Sequence, residues 1–235
     1  LPHYCEQASR LIEARAAFLH EKSGFFASFL VEEGLIEEER FVPMFGIHGM
    51  AEAVNLLMDK AGLAGRYGHD EGANQLGHRI SARLSAWVTA RPQLHAWGGR
   101  ALLHSQGGLS LDKGVTPGVR IPYGEEPDPA SHLLALAPHH GYYHSGISEI
   151  LTLDPTIRQN PQALLQLCKG AFALGMREFS ANVADSDLVR VTGYMIRKSD
   201  LARFAAEGSR LQTTCLGAEA SELTGIRQRA PRVLG

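Results

Sequence analysis

Leu188-Val189-Arg190-Val191-Thr192-Gly193-Tyr194-Met195-Ile196-Arg197 is a run of branched and aromatic residues with one glycine at its middle. Such side chains suit a pleated surface. A glycine inside the run weakens a strand and marks a bulge, a bend or a close backbone approach. The pattern predicts a hairpin in which Leu188 to Val191 rises, Thr192-Gly193 forms the tip and Tyr194 to Arg197 returns. Asp185-Ser186-Asp187 just before it carries turn chemistry. Taken alone, Gly193 asks for no more than a turn, because glycine reaches positive φ without steric cost.

Outward from the hairpin, Glu178 to Val183 predicts a strand leading into it. Ser199-Asp200 predicts the cap of a short helix with Leu201 and Phe204 on its apolar face and Gly208 as its stop. Asn160-Pro161 predicts a helix start, with Asn as cap and Pro in the first turn. Leu164, Leu167, Cys168, Ala171, Phe172 and Gly175 fall on one face of that helix, which makes Cys168 a small core residue. The tail from Leu211 holds Cys215 and ends on the basic stretch Arg229 to Arg232, expected on the surface.

Pro138-His139-His140-Gly141-Tyr142-Tyr143-His144 is rich in histidine. A metal site needs convergent ligands and a supporting shell, and no cysteine or acid accompanies these. The run is read as a polar loop lining a pocket, with no metal. Gly107 to Asp128 is long and irregular, and loops of that length are commonly functional. Within it Arg120, between Val119 and Ile121, reads either as a clamp for a substrate carboxylate or phosphate or as a surface arginine on an edge strand. Leu94 to Ser105 predicts a strand, and Asp70 to Ala90 a helix with Leu76, Ile80, Leu84, Trp87 and Val88 at helical spacing.

Phe41 to Asn55 predicts an extended run, a glycine-hinged turn and a helix from Met50 to Lys60. Gly46-Ile47-His48-Gly49 before a helix has the form of an anion cradle, although turn chemistry alone favours a tight strand-to-helix turn. At the front, Tyr4, Ala8, Leu11, Ile12, Arg15 and Leu19 predict a helix over about residues 3 to 22 with those residues buried. Phe25, Phe26, Phe29 and Leu30 predict a second, short helix closed by Gly34.

The 235 residues are 44% hydrophobic and 20% charged, with a net charge of -2. That is globular composition, enough for one large core or two small domains. No basic stripe supports nucleic-acid binding. No apolar run reaches the length of a membrane span, and no secretory signal opens the chain. Three widely spaced cysteines, Cys5, Cys168 and Cys215, fit a reducing, cytoplasmic setting. The chain opens on Leu1 and enters a helix at once, and is read as a C-terminal piece of a longer protein, a processed or trimmed chain being the other explanation.

Arg190-Val191-Thr192-Gly193-Tyr194 resembles the Arg-Val-(Ser/Thr)-Gly-Tyr signature of glycyl radical enzymes. The chain as a whole is most similar to the YjjI family, above all over Val189 to Gly208 and Thr213 to Val233. Gly46-Ile47-His48-Gly49-Met50-Ala51-Glu52 also resembles the Gly-x-x-Gly-x-x-Glu turn of anaerobic ribonucleotide reductases and their relatives. The resemblance implies an α/β fold: the C-terminal half of a ten-stranded barrel, with the radical glycine on a loop or hairpin tip. It implies a division into residues 1–184, a second half-barrel, and residues 185–235, a glycine radical domain. Gly193 would store the radical, flanked by Arg190, Val191, Thr192 and Tyr194, and would pass it to a cysteine thiol. His48, Glu52 and Arg120 are candidate substrate-pocket residues. The partners implied are an iron–sulfur activating enzyme using S-adenosylmethionine, a small-molecule substrate and a second copy in a homodimer.

The chain departs from two branches of that superfamily. It has no Cys-x-x-Cys pair, as the structural zinc of anaerobic ribonucleotide reductases requires, and no adjacent cysteines, as in pyruvate formate-lyase. Cys5 lies inside the first helix pattern and Cys215 follows the glycine, so the thiyl cysteine is expected upstream of Leu1. Two other functions compete: a radical-bearing spare-part subunit, and an α/β binding domain in which Gly193 is only a turn.

Overall fold

A computed structural model describes residues 2–105, 115–122, 124–144, 146–191 and 194–207, with the side chains of 189–191, 194–196, 201, 204, 205 and 207 left aside. The chain forms two compact units. One comprises residues 1–147 and 170–178, the other residues 148–169 and 179–235.

In the first unit the elements are α1 (Pro2–Glu21), α2 (Phe29–Glu32), β1 (Met44–Ile47), α3 (Met50–Lys60), α4 (Glu71–Thr89), β2 (Leu102–Ser105) and α5 (Pro129–Leu136). β1 and β2 pair in parallel, with Phe45 opposite Leu103 and Gly46 opposite His104. The crossover between them is α3 and α4, as a parallel pair requires. Successive residues of a strand face opposite ways. Phe45 and Leu103 therefore point to one side, where Met50, Val54 and Met58 of α3 and Ala73 and Val88 of α4 bury against them. Met44, Gly46 and His104 point to the other.

α4 starts where its cap predicts: the Asp70 carboxylate accepts from the Ala73 N–H at 3.1 Å. Its most buried line runs through the small residues Ala73, Gly77 and Ser81, which lets the neighbouring chain come close. α1 is helical as expected, and Ala8 and Ile12 of its predicted face pack against the core, but that face is not buried throughout. Ser9 and Ala16 are buried, whereas Tyr4 is 75% and Leu11 61% exposed and Arg15 is exposed. The reason is a polar ladder on the docked side. Glu6 pairs with Arg91 at 2.8 Å, Ser9 accepts from the buried Gln93 amide at 3.0 Å, and Glu13 accepts from the Leu94 N–H at 3.2 Å.

Two predicted elements are shorter than their sequence patterns. The second helix covers only Phe29–Glu32. The strand over 94–105 is confined to Leu102–Ser105, because Gly98 and Gly99 both adopt positive φ (72° and 71°) and turn the chain ahead of it.

In the second unit β3 (Ile150–Leu153), which no sequence pattern announced, pairs in parallel with β4 (Ser180–Val183). Helix α6 (Pro161–Ala173) lies between them in sequence, and Asn160 caps it, accepting from the Ala163 N–H at 3.2 Å. The predicted core face of α6 is corrected. Only Ala171 is buried in this helix, Phe172 is 56% exposed, and Cys168 is half-buried rather than a core residue.

β5 (Leu188–Val191) and β6 (Tyr194–Arg197) form the antiparallel pair predicted for the hairpin, closing with Val191 opposite Tyr194. Thr192 and Gly193, the residues between them, lie outside the described residues, as does Cys215. α7 (Lys198–Glu207) follows at once. Its cap is not Ser199-Asp200 but Asp187, from the turn before β5. The Asp187 carboxylate accepts from the Ser199 N–H at 2.9 Å and the Ser199 hydroxyl at 2.7 Å. One acidic side chain thus closes the open end of the hairpin and starts the helix.

The described strands therefore make an α/β structure of three two-stranded pairs, two of them parallel. No helix among the described residues is long and apolar enough to cross a membrane.

Candidate functional site

In the first unit the face of β1 and β2 turned away from α3 and α4 looks onto a cleft of about 290 Å³. α1 contributes Ile12, Ala16 and Leu19 to its lining, together with Phe41 and Pro43. Gly46 opposes His104 in the strand pair, so the strand beside the imidazole contributes no side chain and the cleft floor stays open. Arg15 lies at the rim.

His104 is half-buried. Burial pushes its pKa below the ordinary histidine value; the neighbouring His48 acts in the same direction, and Glu178 opposes both. The ring is thus neutral at neutral pH, within electrostatic reach of a second imidazole and a carboxylate. His48 follows β1 on the same parity as Met44 and Gly46, which puts it on the cleft side.

The strand-to-helix turn beside this group is closed by the chain itself. Gly49 takes φ 75°, and its N–H donates to the Thr116 carbonyl at 2.8 Å, while the Met50 N–H donates to the Gly118 carbonyl at 3.3 Å. The donors of the suggested anion cradle are therefore occupied, and the turn is structural. Glu52 accepts from the Thr116 N–H at 2.8 Å and from its hydroxyl. His48 makes an antiparallel bridge with Pro117, and the Val119 N–H donates to the buried Ser105 hydroxyl at 3.3 Å. The segment 115–122 is so held across the carboxyl ends of β1 and β2, where open α/β sheets place their ligands. It carries Arg120, half-buried, whose N–H turns back onto the Pro117 carbonyl at 3.2 Å. His48, Glu52 and the Arg120 segment are thus brought to one end of this strand pair.

Two histidines of the run expected to line a pocket are core residues instead. His139 and His140 are fully buried in a turn of 3-10 helix after α5. Tyr67 donates to the Val119 carbonyl at 2.7 Å. With that proton spent, its oxygen accepts from His139 Nε2–H at 3.1 Å. His139 Nδ1 is then bare and accepts from the Ser81 hydroxyl at 2.8 Å, which accepts in turn from Tyr143 at 2.9 Å. The proton direction is fixed along the whole chain, and His139 is neutral. Burial holds its pKa well below the ordinary value, with His78 and His140 adding to the effect. Burial likewise pushes the Tyr143 hydroxyl upward, so it remains a donor. Among the described residues no three His, Cys, Asp or Glu side chains are placed to hold a metal ion.

Sequence reasoning passed over His104, Arg15, Glu178 and the buried Glu149, which directly precedes β3 and accepts from the Ile150 N–H at 2.9 Å. The signal for His104 was a polar residue at an alternating position of a short apolar strand.

The motif residues Arg190, Val191 and Tyr194 belong to the β5–β6 pair in the second unit, Arg190 opposite Met195. The fold resembles that of a solved anaerobic ribonucleotide reductase, with a TM-score of 0.64 at 13% identity, over 89% of this chain and 39% of that one. In sequence the chain is 61% identical over 235 residues to the uncharacterized protein YjjI of Escherichia coli (strain K12), covering 100% of this chain and 46% of that protein. It is 34% identical over 239 residues to an uncharacterized protein of Haemophilus influenzae (strain ATCC 51907 / DSM 11121 / KW20 / Rd), covering 99% and 46%. The chain spans about half the length of these curated relatives. The model of the family described as glycyl radical enzyme YjjI-like matches residues 1–232, and the chain belongs to that family.

Proposed function

We propose that Gly193 is the radical-bearing residue of a glycyl radical enzyme to which this chain contributes the C-terminal part. An activating enzyme, using an iron–sulfur cluster and S-adenosylmethionine, removes one hydrogen atom from the Gly193 α-carbon. The radical spreads over the flanking amide nitrogen and carbonyl, which requires a planar centre and leaves no room for a side chain. It is then passed to a cysteine thiol, and the thiyl radical takes hydrogen from a small substrate. The protein's share of the work is to orient these groups and exclude water and oxygen.

The observation that carries this reading is the family assignment together with Arg190-Val191-Thr192-Gly193-Tyr194, a motif whose glycine falls between two antiparallel strands. In this reading residues 1–184 belong to the second half of a ten-stranded barrel and residues 185–235 form the glycine radical domain. His48, Glu52 and Arg120 contribute to the substrate pocket. The thiyl cysteine is assigned upstream of Leu1, since Cys5 lies on α1, Cys168 on α6, and Cys215 follows Gly193. The enzyme works in the anaerobic cytoplasm as a homodimer.

The test is electron paramagnetic resonance on the full-length protein, kept anaerobic, after treatment with its activating enzyme and S-adenosylmethionine. The expected result is an organic-radical doublet that disappears in Gly193→Ala. A folded protein that stays silent with an active activase would sink the radical assignment and leave an α/β binding domain in which Gly193 is a turn.

A further inference from the structure

We infer that the cleft between α1 and the β1–β2 pair binds a small organic carboxylate, with its acid group at Arg15, its short apolar chain along α1, and a hydroxyl at His104. The inference depends on the radical reading only in calling that ligand a substrate.

The volume, about 290 Å³, lies at the bottom of the range of small-molecule sites, roughly 300–1,000 Å³. It suits a chain of a few carbons rather than a nucleotide. Ile12, Ala16, Leu19, Phe41 and Pro43 give it apolar walls, and apolar surroundings with few placed polar groups are the usual make-up of such sites. Arg15 is paired with no acid among the described residues, so its guanidinium is not neutralised by a carboxylate there. Its planar fork matches a carboxylate with two parallel hydrogen bonds.

The charge pattern selects the class and the orientation. Among the described residues that line the cleft Arg15 is the one cation, and the neutral His104 adds none. One positive charge balances a monocarboxylate, whereas a phosphate dianion would carry excess charge into an apolar site. Glu178 acts electrostatically on His104 and repels an anion from that end. The acid group is thereby directed to Arg15, and a neutral hydroxyl is left to the imidazole, which can donate or accept.

Ligand-observed saturation-transfer NMR on the full-length, unactivated protein tests this, with butyrate, 4-hydroxybutyrate, 1-butanol and butylamine as probes. The two acids bind, 4-hydroxybutyrate the tighter, and butylamine does not. Arg15→Ala weakens both acids about tenfold or more, the scale of a charge-assisted hydrogen bond, and Arg15→Lys recovers part of the loss. His104→Gln removes the advantage of the hydroxy acid and leaves butyrate unchanged. Thermal unfolding of each variant checks that the fold is intact; Arg15 is an exposed side chain. Butylamine binding as well as butyrate, an Arg15→Ala variant that binds normally, or no binding of either acid would overturn the assignment. Because no radical is involved, a doublet without binding retires this site alone. Binding without a doublet retires the radical reading alone.

Discussion

Ser81 sits between Tyr143 and His139 in the buried chain that runs on to Tyr67, donating to His139 and accepting from Tyr143. Ser81→Ala would leave His139 Nδ1 and the Tyr143 hydroxyl buried without partners. An unpaired buried polar group costs about 1–3 kcal/mol, so the unfolding free energy should fall by that order, seen as a lower urea midpoint with the slope unchanged. One turn earlier on α4, Gly77 has the same dependence on Tyr67 from the packing side. A Cβ added there would lie 2.7 Å from Tyr67 Cε2, and this ring cannot swing aside because its hydroxyl is held at both hydrogen bonds. Overpacking costs about 1–3 kcal/mol, against about 1 kcal/mol gained from alanine's helix propensity. Gly77→Ala should therefore be neutral at best and destabilising in the larger part of that range, as chemical denaturation will read. Little of this was legible in the sequence. His139 and Gly77 are 62 positions apart, and only the packing of α4 against the 137–141 turn makes them neighbours.

Among the elements, α7 depends on a residue outside itself. Asp187→Ala removes the acceptor for both the Ser199 N–H and its hydroxyl, and amide exchange over 198–207 should quicken while α3 and α4 are unaffected. Unchanged exchange would show that α7 needs no cap. The hydrogen bonds from Ser199 hold the Asp187 carboxyl below its usual range. A depressed carboxylate contributes stability above its unfolded value and loses it as pH falls through the folded one, so the cap should persist well into acid. The sequence named the turn at 185–187 and the helix after 197, but assigned the cap to the nearer Ser199-Asp200. Local spacing favours the nearest acid, and the β5–β6 pairing brings a more distant one to the helix start. α1 and α6 teach the same point about faces. Their helical period was readable, yet α1 docks through Glu6, Ser9 and Glu13, and α6 keeps Phe172 largely exposed. A helical period gives the helix and, in α1, part of the covered stripe (Ala8 and Ile12); how far that stripe extends depends on the partner.

For the molecule as a whole, the buried His139 and the half-buried His104 set an acid limit. His139 and His104 have pKa values below 6.5 in the folded state, so below about pH 6.5 the unfolded chain binds protons that the folded one does not. Stability from these groups is then complete above that pH and falls as pH drops until the folded values are crossed, more for the buried His139 than for the half-exposed His104, whose share solvent screens. The urea midpoint should decline between pH 7 and 5, with a shallower slope in His104→Gln; a flat profile would contradict the neutral-histidine network. Asp128, Asp154, Asp185 and Asp187, all depressed by hydrogen bonds, lose their contributions only at lower pH, below about 3.8. What the sequence by itself determined is what is local: the α3 and α4 helices with the Asp70 cap, the glycine turn before Met50, the β5–β6 hairpin, and the five-residue motif that ties the chain to its family. Propensity, capping and turn conformation act over a few residues, and they leave a trace in neighbouring letters. Only the tertiary structure decided that His139 is a core hydrogen-bonding group, that β3 joins β4, and that Arg15 and His104 border one cleft. Those facts depend on which face of an element meets which partner, and burial, charge and proton position follow from that meeting rather than from the order of residues along the chain.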